Sequence, residues 1–303
     1  MRRKAVLFFL FLSLLNLVIV FLRDAFQYQP FSSPAALYAP CDEKCSKKWN
    51  QYVNDFPREE LAAARNISDS VVAGKAPTED KVMAIGLFIY NRFKGQMGRP
   101  SAELLRSSPF RQYQQLAASD SVKLWCGNFA EIFSWFCWSH GIVCRNIEVM
   151  NPGNHHVLNE CYIPESGRWV LVDLTNNLLM AQSKEQRLNL YEMMKALKAR
   201  TVVSGLHASG DSVSVELLDP ATSYIQNFYQ ADHPYFYYHR VDNEKVYRTG
   251  SKLVRYFLPL SWYEILELKK QSNLPFYLKE VFSLLWLISL IMLLVSRKKL
   301  RYD

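Results

Sequence analysis

The sequence predicts an α+β domain between two transmembrane helices, and three features of the 303 residues predict it. Residues 47–115 have a helical texture. From Cys126 onward, one helical segment gives way to three short segments divided by turn residues, the pattern of an antiparallel sheet. At each end of the chain an uncharged apolar run lies beside a basic cluster.

The first run, Ala5–Leu22, holds 18 residues without a formal charge and spans about 27 Å as a helix. It exceeds the roughly 7–15 apolar residues of a signal peptide, and Arg23-Asp24 follows without a small-residue cleavage pattern. Residues 5–22 are therefore read as an uncleaved anchor. The second run, Val281–Val295, is extended by Phe276, Tyr277 and Leu278, with Lys279 able to snorkel to the interface. Residues 276–296 are the second span, and the basic tail 297–303 reads as a membrane stop. The two end clusters carry six of the eight net positive charges, so the interior is nearly balanced and no nucleic-acid partner is expected. Basic residues on the outer side of both runs put both termini in the cytoplasm and the main domain outside a cell membrane. A composition that is 50% hydrophobic and 14% aromatic excludes a disordered or fibrous chain.

Residues 23–45, interrupted by Pro30, Pro34 and Pro40, read as a linker, and 46–260 as the extracytoplasmic domain. Thr78-Glu79-Asp80 opens a helix on which Val82, Ile85, Phe88, Ile89 and Phe93 recur at helical spacing. Gly127–Ser139 is a second helix with Phe129, Ile132, Phe133 and Phe136 on one side, ended by His140-Gly141, where a cation is favoured. Val143–Met150, His156–Ile163 and Arg168–Leu174 read as strands, separated by turns at 151–154 and 165–167. Beyond them Glu185–Ala199 reads as helical, and Ser212–Leu218, Tyr235–Val241 and Lys245–Thr249 as strand-like. The aromatic cluster His233–His239 is read as core packing.

Of the six cysteines, Cys41 and Cys45 are a candidate local disulfide, permitted by an oxidising compartment. Cys137, Cys144 and Cys161 fall on the helix and strands, as core residues or one disulfide. Cys126 differs, because it stands just before Gly127–Ser139. Free N–H groups and the positive end of the helix dipole there favour thiolate over thiol, and the same groups can stabilise an oxyanion. Its base must come from elsewhere. His155 and His156 adjoin on one strand, so they point to opposite faces and only one can face Cys126. Asp173, at the end of the next strand, meets His156 at one end of the hairpin and can orient its ring. A metal site on Cys126, His155 and His156 is disfavoured by the same opposite-face argument.

Trp125-Cys126-Gly127, His156-Val-Leu-Asn-Glu160 and Gly167-Arg-Trp-Val-Leu-Val-Asp173-Leu-Thr175 together resemble the core of the transglutaminase-like superfamily, over roughly residues 75–180. Glu160, four residues on, puts His156 rather than His155 in the register of the family's base. Leu158 and Leu174 depart from the tryptophan and proline usual in the family, which bears on substrate class more than on catalysis. The resemblance implies a papain-like α+β fold, with the catalytic cysteine at a helix N-terminus. It also implies thiol-dependent acyl transfer at an amide by Cys126, His156 and Asp173, without metal or organic cofactor. Trp125 and His155 are expected at the substrate-binding cleft. The substrate is expected to be a peptide or cell-envelope amide, and the acceptor water or an amine. The competing expectation is a non-catalytic envelope protein that uses the fold to bind a polypeptide or surface polysaccharide.

Overall fold

The computed structural model describes residues 2–21, 32–49, 58–151, 154–230, 235–239, 263–267 and 274–299. It divides into two units, one of residues 32–242 and 263–268 and the other of residues 1–31, 243–262 and 269–303.

The N-terminal helix α1 (Arg2–Phe21) belongs to the second of these units. The larger unit opens with α2 (Pro34–Leu37) and α3 (Glu43–Trp49), and a disulfide ties Cys41, in the segment between them, to Cys45 of α3. Part of the stretch expected as linker is thus folded. Ser33 caps α2, Leu37 and Trp49 are buried, and the Leu37 carbonyl accepts a hydrogen bond from Arg145. Helices α4 (Arg58–Val72), α5 (Thr78–Phe93), α6 (Ala102–Arg106) and α7 (Pro109–Ala118) follow. Ser101 and Ser108 each accept a first-turn N–H of α6 and α7 respectively, which fixes where these helices start.

Helix α8 (Cys126–Ser139) is central. The expected apolar side, Phe129, Ile132, Phe133 and Phe136, is buried, but so are Ala130, Ser134, Trp135, Cys137 and Trp138. A helix hydrophobic nearly all round belongs inside a domain, and α8 packs on α4, α5, α7 and the first two strands of the sheet. Those strands are β1 (Cys144–Asn151) and β2 (Asn154–Ile163), and β3 (Arg168–Val172) follows. Strands β4 (Met180–Ser183) and β5 (Gln186–Leu188) form a hairpin, ahead of α9 (Leu190–Lys198). The helix expected over Glu185–Ala199 therefore begins only at Leu190. Asn189 is its cap, accepting from the Glu192 N–H while the Glu192 side chain accepts from Asn189 N–H, and Lys184 turns the hairpin at φ 55°. Strands β6 (Ser204–Ser209), β7 (Ser212–Leu217), β8 (Tyr235–His239) and β9 (Tyr263–Glu267) complete two antiparallel sheets, ordered β3-β2-β1-β8-β9 and β5-β4-β6-β7. The architecture is α+β, as the sequence predicts. Within the aromatic cluster, Phe236 and Tyr238 are buried, and Lys245–Thr249 lies outside the described residues.

A buried ion pair joins these parts. Arg145 on β1 donates two hydrogen bonds to Glu160 Oε2 on β2, at 3.0 and 2.6 Å, and both side chains are fully buried. The guanidinium lies against the rings of Trp169, Tyr238, Trp49 and Tyr38, at 3.9, 4.6, 5.0 and 5.1 Å. Glu160 Oε1 accepts from the first N–H of α9 and from the Tyr38 hydroxyl. One carboxylate thus ties β1, α9 and the N-terminal segment together, which makes the family-register acid a structural one.

In the smaller unit, α1 packs on α10 (Leu274–Lys299). Trp286 donates to Ser13 Oγ at 2.7 Å and stacks on Phe9, with 5.7 Å between ring centroids. Phe276–Val295 is long and apolar enough to cross a membrane, and Val6–Val18 is a shorter apolar stretch; together they fit membrane association.

Candidate active site

The approach to Cys126 is fixed before the helix begins. Leu124 N–H donates to the Gln96 carbonyl and Gly98 N–H to the Leu124 carbonyl, which pins this strand-like stretch to the segment that follows α5. Asn128 Oδ1 then accepts the Trp125 N–H at 2.9 Å, and Asn128 Nδ2 donates to Gln112 on α7. The indole of Trp125, at the N-cap position, has no acceptor atom, so no side chain caps the first turn of α8. Cys126 stands in that turn, half-buried, with the positive end of the helix dipole behind it.

His156 comes from β2 and is almost wholly buried. Its Nε2 lies 2.9 Å from Asp173 Oδ2, and its charge acts on the neighbouring Cys126 thiol. Asp173 follows the last residue of β3 and is held on both sides. Its backbone N–H and carbonyl pair with Leu178, and its Oδ1 accepts from the Asn176 N–H. Asn177 closes the turn at φ 56°, a left-handed conformation that asparagine tolerates. Two further donors reach Asp173 Oδ2, the Asn176 side-chain amide at 2.7 Å and the Tyr229 hydroxyl at 2.6 Å. The Phe228 ring lies against the His156 ring, with 4.6 Å between centroids.

The electrostatics follow from this geometry. Burial opposes ionisation of Cys126, but the hydrogen bond and charge of His156, with the Val157 N–H, outweigh it and lower the thiol pKa. Burial likewise opposes the charged form of His156, yet the charge and hydrogen bond of Asp173, joined by those of Cys126, push it up to about 10. For Asp173, burial raises the pKa while the His156 charge and the hydrogen bonds from His156, Asn176 and Tyr229 lower it, and the net direction is down. The arrangement favours a thiolate–imidazolium pair backed by a carboxylate.

The three residues expected to act together therefore meet, although they come from a helix, a strand and a turn. His155 lies on the opposite face of β2. Its ring is 53% exposed and 3.4 Å from Glu148, whose hydrogen bond raises its pKa first and foremost. Trp125, next to the nucleophile, is 46% exposed. His140 ends α8 as expected but is not a cation there: burial lowers its pKa, and Ser68 Oγ sits 2.7 Å from its Nε2. Cys137, Cys144 and Cys161 are buried free thiols whose sulfurs lie within 4.8 Å of one another. Burial pushes Cys137 and Cys161 well above the usual thiol range, as suits neutral core groups. A surface cavity of about 440 Å³, lined by Glu60, Glu103, Arg106, Ser107, Ser108 and Arg111, shares no residue with the Cys126 constellation.

Sequence reasoning missed Asn128, Asn176, Phe228 and Tyr229. Asn128 and Asn176 carry a local signal, an amide three residues after the position it serves. Tyr229 carries none, being 56 residues from Asp173.

The profile of the transglutaminase-like superfamily matches residues 65–174, a segment that holds Cys126, His156 and Asp173. No curated protein matches the sequence. Among solved structures, the chain is similar to the crystal structure of a "Putative Cysteine Protease" from Cytophaga hutchinsonii, with 18% identity and a TM-score of 0.33. That match covers 64% of this chain and 62% of the other, so the chain spans less than two thirds of that protein's length.

Proposed function

Because residues 65–174 match the transglutaminase-like superfamily, we propose that this protein is a cysteine enzyme that transfers the acyl group of an amide. The observation that carries the reading is the convergence of three groups: Cys126 in the first turn of α8, His156 beside it lowering its thiol pKa, and His156 Nε2 held 2.9 Å from Asp173. The Cys126 thiolate attacks the amide carbonyl, and the uncapped N–H groups of α8 stabilise the oxyanion. The C–N bond then breaks. His156 gives its proton to the departing amine and a thioester remains on Cys126. Water or a second amine, deprotonated by His156, attacks the thioester and releases the thiol. Asp173 keeps the imidazole in the tautomer that presents Nδ1 to sulfur and stabilises the imidazolium. Trp125 and His155, flanking the nucleophile and the base in sequence, are the proposed substrate contacts. No metal or organic cofactor enters these steps.

The substrate side is proposed as a peptide or cell-envelope amide outside the cytoplasm. Three features support that placement: the apolar stretches at both ends, the basic residues beyond them, and a Cys41–Cys45 disulfide of the kind that persists in oxidising compartments. In this reading the chain crosses a cell membrane twice, with both termini cytoplasmic.

The test uses the full chain in detergent with a library of glutamine- and backbone-amide peptides, with and without a primary amine such as a fluorescent cadaverine. Amide cleavage or amine incorporation that disappears in Cys126→Ser supports the proposal, and the product identifies the acceptor. Turnover that survives Cys126→Ser contradicts it. Peptide or glycan binding without Cys126-dependent turnover favours the non-catalytic alternative.

A further inference from the structure

The Ile225–Tyr229 segment reaches the site from far along the chain, as a wide π-helical turn that sets two consecutive side chains on the catalytic pair. Phe228 covers the His156 ring, and the Tyr229 hydroxyl donates to Asp173 Oδ2 at 2.6 Å. Such turns are frequent at functional sites. A buried tyrosine needs a partner for its hydroxyl, but any backbone carbonyl would satisfy it. Here it instead adds a third donor to an oxygen already served by His156 and by the Asn176 amide at 2.7 Å. Tyr229 and Asp173 are both fully buried, so solvent does not replace either bond.

We propose that Tyr229 and Asn176 are positioning residues, which fix the Asp173 carboxylate and, through it, hold the His156 ring against Cys126. The inference rests on the acyl-transfer reading and adds the groups that orient its acid. Three donors converging on one oxygen restrict the carboxylate to one orientation and partly neutralise its charge. Without one of them Asp173 is freer to turn, so the His156 ring is held less firmly beside Cys126 and the thiolate loses part of the imidazolium that favours it. The other titratable groups around the pair are His155 on the opposite face of β2, which pairs with Glu148 of β1, and Tyr224, whose ring meets Tyr229 edge-on at 6.4 Å.

The test reads the thiol directly and needs no identified substrate. Full-length protein in detergent micelles is treated with iodoacetamide from pH 4 to 10, and alkylation of the Cys126 peptide is followed by mass spectrometry. In the wild type, labelling is expected to set in below the pH range of an ordinary thiol. In Tyr229→Phe and in Asn176→Ala the onset is expected to move upward by about half to one pH unit, a three- to tenfold slower reaction on the acid limb. The plateau rate should stay unchanged. A purely structural role would lower the melting temperature without moving the onset. If Tyr229→Phe does not fold, Asn176→Ala alone decides, since it removes a donor from the same oxygen. An activated wild-type thiol with an unmoved onset overturns the positioning role and leaves the acyl-transfer reading standing. A wild-type Cys126 that labels like an ordinary thiol overturns both.

Discussion

Replacing Glu160 by glutamine should destabilise the larger unit, and the size of the effect follows from the surroundings of Arg145. The amide oxygen of the introduced glutamine can still accept from the Leu190 N–H and the Tyr38 hydroxyl, so those two bonds survive. What disappears is the countercharge of a guanidinium that has no exposure to solvent. Breaking a buried pair from one side typically costs about 3–5 kcal/mol. The four aromatic rings around Arg145 offset part of that cost, since a desolvated cation over an aromatic face gains up to about 2 kcal/mol. The lower end of the range, about 3 kcal/mol, is therefore expected. For a unit of this size it corresponds to a fall in melting temperature of roughly 6–12 °C. Thermal unfolding of the full chain, followed by intrinsic tryptophan fluorescence, measures it. The double variant Arg145→Met/Glu160→Gln removes both charges, keeps the two bonds to the amide oxygen and should recover most of the loss. A melting temperature for Glu160→Gln within about 2 °C of wild type would refute the reasoning, and so would a double variant as unstable as the single one.

Two other predictions concern the scaffold. A Cβ on Gly205 would lie 2.8 Å from both Leu178 Cδ1 and Leu218 Cδ2 and would also strike His207 Nε2. Gly205→Ala should thus cost about 1–3 kcal/mol through overpacking, read as a lower denaturation midpoint; an unchanged midpoint would count against the close packing of β6. Stability should also fall with rising pH because of His156. Its folded pKa, about 10, lies above the unfolded value near 6.5. Its contribution, a few kcal/mol, is full below about pH 6.5 and is lost as pH rises through about 10. Melting curves of wild type and His156→Gln should converge over that window; parallel curves would contradict the assignment.

The helix of the nucleophile and the three strands after it were legible because each has its own period and its own turn. The selection of His156 over His155 combined strand parity, by which adjacent residues on one strand cannot share a face, with the Glu160 register of the family resemblance. The structure places His156 on Asp173 and His155 on Glu148. Tertiary contacts hid the rest. Apolar spacing made Glu185–Ala199 look like one helix, although the turn at Lys184 and the cap at Asn189 split it into a strand and a helix. His140 stands where the helix dipole welcomes a cation, but burial against Ser68 outweighs the dipole. Tyr229 reaches Asp173 only because the chain returns after two more strand pairs, and no local pattern reports such a return.

The central claim is that His156 ionises Cys126, and the pH dependence of Cys126 alkylation in wild type and His156→Ala tests it most directly. Wild-type Cys126 should react with iodoacetamide at pH 6 at least about tenfold faster than the His156→Ala variant, whose rate should follow an ordinary thiol with a pKa near 8.5. Equal rates for the two proteins across the acid range would contradict the claim.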